Sequence, residues 1–168
     1  MKTKTIIISV AFVLVIALLL AWGNAASTPI PGAPAAGAEM SALVASEASY
    51  DFGTISMKNG NVIKEFTVTN PTAEAITLEA VFTSCMCTTA FIVGADGSAK
   101  GPFGMPGHGG AVPPANESVG AGESRIIRVV YDPNAHGPAG VGRIDRFITL
   151  TDDSGTTLEY EIKANVTP

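Results

Sequence analysis

Asn61-Val62-Ile63-Lys64-Glu65-Phe66-Thr67-Val68-Thr69-Asn70-Pro71 is the stretch that decides the fold class. Val62, Phe66 and Val68 fall on one face of an extended chain, and Glu65, Thr67 and Thr69 on the other. A period of two of this kind marks a strand with one side buried. Pro71 lacks a backbone donor and pushes Asn70 out of the helical region, so the strand ends there in a turn.

The same rhythm returns on both sides. Upstream, Tyr50 and Phe52 alternate with Asp51 and lead through Gly53 into a short strand ending near Ile55. Downstream, Ile76, Leu78, Ala80 and Phe82 alternate with Thr77, Glu79 and Thr83, which predicts a third strand with the first four facing inward. Arg125 to Tyr131 is a β-branched run closed by the turn Asp132-Pro133-Asn134. Arg143 to Thr151 and Thr156 to Val166 form two more strands, joined as a hairpin through Asp152-Asp153-Ser154-Gly155. About seven short strands without a convincing helix among them predict an all-β, antiparallel sandwich rather than an α/β sheet.

The ends of the chain carry a different message. Lys2 and Lys4 precede an apolar run from Ile6 to Trp22 broken only by Ser9, so residues 1–23 read as a hydrophobic helix serving as a signal peptide or a membrane anchor. Small residues at Gly23, Ala25 and Ala26 suit a signal peptidase; the lysines equally suit the inner side of an anchor. Both fates put the remainder on the periplasmic or extracellular face. Residues 24–47 are rich in Ala, Pro, Gly and Ser and read as a linker, leaving 48–168 as one folded domain. Without Lys2 and Lys4, eight scattered basic side chains face fifteen acidic ones, a balance that repels phosphate backbones and argues against nucleic-acid binding.

Tyr50-Asp51-Phe52-Gly53-Thr54-Ile55, Phe66-Thr67-Val68-Thr69-Asn70, Thr83-Ser84-Cys85-Met86-Cys87-Thr88-Thr89, Gly122-Glu123 and Val130-Tyr131-Asp132 follow one another in an order that resembles the domain-of-unknown-function 1573 family, DUF1573. The resemblance covers most of residues 48–168. It implies an immunoglobulin-like sandwich similar to the major-sperm-protein and PapD type, an exported bacterial setting, and no established enzyme activity. Two features depart from the family pattern. Met86 stands where a glycine is usual between the cysteines, and residues 94–121 form a Gly/Pro-rich insertion, including Gly101 to Gly110, expected to be a flexible loop.

Cys85 and Cys87 are the two cysteines of the chain. On an extended strand they would share a face about 6.6 Å apart, at the upper limit for a disulfide, so a bridge between them demands a tight turn and would be readily reduced. Two thiolates on one face also suit a soft ion such as Cu(I), with Met86, Met105 and His108 as further donors. The same pair equally fits two small residues buried and inert in a sheet. His136 follows the Asp132-Pro133-Asn134 turn and is expected to be solvent-exposed without a ligand role.

No hydrolase nucleophile elbow, zinc-protease helix, phosphate loop or calcium loop is present in the sequence. The expected function is therefore a non-enzymatic cell-envelope binding or assembly module whose partner is another envelope protein. The membrane is a further partner if the N-terminal segment stays uncleaved. Two alternatives remain open: a periplasmic Cu(I)-binding protein using Cys85, Cys87, Met86, Met105 and His108, and a thiol–disulfide partner in envelope redox chemistry.

Overall fold

The computed structural model describes residues 41–108 and 111–168. Ten strands follow in chain order: β1 (Val44–Ala45), β2 (Ser49–Ser56), β3 (Val62–Thr69), β4 (Ile76–Thr83), β5 (Thr88–Val93), β6 (Ala99–Phe103), β7 (Glu117–Val119), β8 (Ser124–Tyr131), β9 (Gly142–Asp152) and β10 (Thr157–Thr167). They form two five-stranded sheets, ordered β1-β3-β8-β5-β6 and β2-β10-β9-β4-β7. The all-β sandwich expected from the alternating pattern is found, with ten strands rather than about seven. One pairing departs from the antiparallel rule. β2 runs parallel to β10, because β2 leads into a strand of the opposite sheet and no hairpin dictates its direction.

The two inner faces meet in a single apolar layer. Phe66 and Val68 of β3, with Ile127, Val129 and Tyr131 of β8, oppose Ile148 and Leu150 of β9 and Tyr160 and Ile162 of β10, all buried. Phe66 stacks on Tyr160 with ring centroids 4.6 Å apart. The alternation of Phe66 and Val68 thus reports the core face as expected.

β4 corrects the sequence reading. Its inward residues are Leu78, Val81 and Thr83, while Ala80 and Phe82 are only half-buried. The pairing with β9 shifts between Leu78 and Ala80, where two β4 steps match one on β9. Such a bulge inverts which side chains face inward from that point on. Thr83 is turned into the interior by it, directly before the cysteines.

The described part of the presumed linker and the insertion also take part in the sandwich. Leu43 is buried in the core, and Val44 and Ala45 pair with Thr69 and Val68 at the edge of β3. Folded structure therefore begins before residue 48. Within 94–121, β6 pairs with β5 and β7 with β4, anchored by the buried Phe103, Ala115 and Val119. Three buried apolar anchors explain why this Gly/Pro-rich stretch joins the sheets instead of remaining a loop. The segments 1–23 and 24–40 lie outside the described residues. Among the described residues, no helix is long and apolar enough to cross a membrane.

Candidate functional site

The cysteines occupy the connection between β4 and β5. The Thr88 N–H donates to the Cys85 carbonyl at 3.1 Å, closing a turn with Met86 and Cys87 at its corners. Thr83, turned inward by the bulge, holds the turn from below: its hydroxyl lies 3.1 Å from the Cys85 carbonyl and 3.0 Å from that of Thr88. Ser84 fixes the other side, its N–H donating to the Phe147 carbonyl and its Oγ accepting from the Phe147 N–H, both at 2.9 Å. The turn brings the two cysteine Cα atoms to 5.2 Å, shorter than an extended strand allows, and the sulfurs are joined as a disulfide. Cys87 is 2% exposed, Cys85 is partly buried, and Met86 projects outward at 52% exposure.

The two sulfurs have different neighbours. The Asp132 N–H donates to the Cys87 carbonyl at 2.9 Å, which ties the end of β8 to the cysteine turn. Asp132 Oδ1 then accepts from the Asn134 N–H at 2.8 Å, and the Gly137 N–H donates to the Asn134 carbonyl at 2.9 Å. This coil of turns carries His136 back over the disulfide, with Nε2 3.1 Å from Cys85 Sγ. The Cys87 N–H also donates to Cys85 Sγ, at 3.3 Å. From β9, Arg146 donates through Nε to Cys87 Sγ at 3.2 Å while its Nη1 donates to the Asp145 carbonyl at 2.8 Å. Burial pushes the neighbouring Tyr131 phenol up, against the opposing pull of the Arg146 charge.

Residues 43–94 match a family model described as Protein of unknown function (DUF1573). The DUF1573 resemblance read from the motifs is borne out over that span, which contains Thr83, Cys85 and Cys87; His136 and Arg146 lie beyond it. No curated protein sequence matches the chain. Among solved structures, it is similar to a protein of unknown function from Porphyromonas gingivalis W83 at 16% identity and a TM-score of 0.54, covering 82% of this chain and 51% of that one. The chain thus spans about half the length of that protein, and the likeness carries the fold alone. The ASH/PapD-like domain 7 of human CEP192 aligns at 10% identity and a TM-score of 0.47, over 84% of this chain and 95% of that one. The periplasmic chaperone SfaE aligns at 10% identity and a TM-score of 0.41, over 75% of this chain and 57% of that one.

The donors named from the DUF1573 motif and its insertion separate into two places. Cys85 and Cys87 are joined by His136, and one ligand atom from each lies within 4.8 Å of the others. Met105 and His108 instead form a turn of their own, the His108 N–H donating to the Met105 carbonyl at 3.3 Å, and line a different groove with Thr89, Pro102 and Val112. The cysteines are not among the walls of that groove. His136 is exposed, as its position after a turn predicts, yet it is the imidazole that reaches the sulfur.

Proposed function

We propose that the chain is an exported, non-enzymatic module of the cell envelope that acts as a thiol–disulfide partner through Cys85 and Cys87. The observation that carries this reading is the asymmetry of the two sulfurs. Cys85 is the more accessible and has an imidazole at 3.1 Å, whereas Cys87 is buried with a guanidinium at 3.2 Å. An incoming thiol transfers its proton to His136, and its sulfur attacks Cys85 Sγ. As that bond forms, the Cys85–Cys87 bond breaks and its electron pair passes to Cys87 Sγ, where Arg146 stabilises the thiolate. A second thiol gives up its proton to solvent, and its sulfur attacks the partner sulfur of the mixed disulfide; the bond to Cys85 breaks, and Cys85 takes the proton held by His136. Two partner thiols become one disulfide, and the protein disulfide becomes a Cys85 thiol and a Cys87 thiolate, with one proton released.

The test uses the full chain in thiol/disulfide buffers of graded potential, quenched by alkylation and read by mass. The reading expects a reversible transition between zero and two alkylated cysteines. Cys87→Ser, which removes the leaving thiolate, is expected to retain a stable mixed disulfide at Cys85. Cysteines that stay unpaired under oxidising conditions would count against the reading.

One observation favours a second reading. The Cys85, Cys87 and His136 donors are close enough to surround one ion once the sulfurs are reduced, and two thiolates with an imidazole form a soft set suited to Cu(I). Titration of the reduced chain with Cu(I) against a competing chelator tests it. Failure of the wild type to outcompete Cys85→Ser/Cys87→Ser would exclude this reading.

A further inference from the structure

Next to the cysteine turn lies an open groove of about 290 Å³ whose walls include His136, Val141, Arg143, Ile144 and Arg146 but neither cysteine. Two of these walls are the residues that touch the sulfurs, His136 on Cys85 and Arg146 on Cys87. The groove is cationic: among the described residues neither Arg143 nor Arg146 has a carboxylate within ion-pair distance, and no carboxylate lines it. Asp51 and Asp145 line a neighbouring groove together with Lys163, and Arg143 stands on the rim shared by the two.

We propose that this groove selects a low-mass thiol bearing a carboxylate as the reductant of the Cys85–Cys87 disulfide, an inference that rests on the thiol–disulfide reading above. The carboxylate is held by Arg143 and Arg146, whose planar guanidinium groups suit a two-oxygen anion. The thiol then reaches His136 and the part-buried Cys85 sulfur beside it, and the exchange proceeds as already written. Selection of an anion runs against the overall field, since the chain has a formal net charge of −5. A preference for anionic thiols thus has to arise locally, which makes it diagnostic.

Three thiols of similar size and different charge test the proposal on the full chain: 3-mercaptopropionate, 2-mercaptoethanol and cysteamine. Rates of disulfide opening, normalised to thiolate concentration, are expected to favour 3-mercaptopropionate over 2-mercaptoethanol by about tenfold at low ionic strength, with cysteamine slowest. Added salt should shrink that ratio. Arg143→Gln is expected to collapse the ratio toward one, and Arg143→Lys to leave it intermediate. Lys163→Gln removes the same charge from the neighbouring groove and should leave the ratio intact. Equal rates for the three thiols, or cysteamine the fastest as the net charge alone dictates, would overturn the proposal. So would an unchanged ratio in Arg143→Gln. If 2-mercaptoethanol opens the disulfide and 3-mercaptopropionate has no advantage, only the carboxylate selection falls. If no thiol opens it, the thiol–disulfide reading falls as well.

Discussion

Replacing Arg146 with glutamine should make the Cys85–Cys87 disulfide harder to reduce. In the wild type the guanidinium Nε lies 3.2 Å from Cys87 Sγ, a separation at which it stabilises the thiolate formed on reduction more than the neutral disulfide. A hydrogen bond to a charged group contributes roughly 1.5–3 kcal/mol. Arg146 is only part-buried and its Nη1 is already engaged by the Asp145 carbonyl, so solvent screening favours the lower end of that range. For a two-electron couple about 1.4 kcal/mol corresponds to about 30 mV. The reduction potential of Arg146→Gln is therefore expected to fall by about 30 mV, with the reduced form losing stability and the oxidised form little changed. Equilibration against dithiothreitol buffers, followed by alkylation and mass measurement, resolves a shift of that size. Lys163→Gln serves as a control for general loss of positive charge. A potential that is unchanged, that rises, or that moves equally in Lys163→Gln would refute the role given to Arg146.

Three further outcomes follow from the fold and the site. Asp152 is buried, and hydrogen bonds from Ser154, Ser41 and Thr156 outweigh burial to hold its carboxyl below the usual range; Asp152→Asn should lose about 2 kcal/mol at pH 7 by urea unfolding. Because the folded-state value is the lower one, this stability is present above the unfolded value of about 3.9 and disappears as pH falls through the folded value. The wild-type advantage over Asp152→Asn should therefore shrink below about pH 4. Thr83→Val keeps the shape but removes the hydroxyl between the Cys85 and Thr88 carbonyls, which should cost about 1–2 kcal/mol in the same assay. In Cu(I) titrations of the reduced chain, His136→Ala should weaken binding by tenfold or more if the ion binds there, while His108→Ala should have no effect; the reverse would restore the donor set read from the sequence.

The sandwich was legible because Phe66 and Val68 must face one way if Glu65 and Thr67 face the other, and because Asn70-Pro71 and Asp152 to Gly155 punctuate the strands with turn chemistry. The inward face of β4 was not. A bulge near Glu79 shifts the register without any residue type that announces it, so strict alternation names Ala80 and Phe82 where Val81 and Thr83 are buried. The short strands β6 and β7 were hidden by the Gly and Pro around them, and only Phe103 and Val119 signal a buried face there.

The candidate site divides along the same line. Cys85 and Cys87 stood out by spacing, since proximity in sequence guarantees proximity in space. His136 and Arg146 are 51 and 59 residues away from their sulfur partners and arrive through the β5–β8 and β4–β9 pairings, which a single sequence does not reveal. One signal was available: Val130-Tyr131-Asp132 and Cys85-Met86-Cys87 belong to the same set of motifs, and the Asp132 N–H donates to the Cys87 carbonyl. Met105 and His108 attracted attention as soft donors close to the cysteines in sequence, but β5 and β6 intervene and carry them to a separate groove.

The most direct test of the thiol–disulfide account is the reversibility of the Cys85–Cys87 bond in the full chain under a graded series of thiol/disulfide buffers. The account predicts a two-electron transition in which both cysteines change together, and its return on reoxidation. Cysteines that remain unpaired in the most oxidising buffer, or a disulfide untouched by the most reducing one, would contradict it.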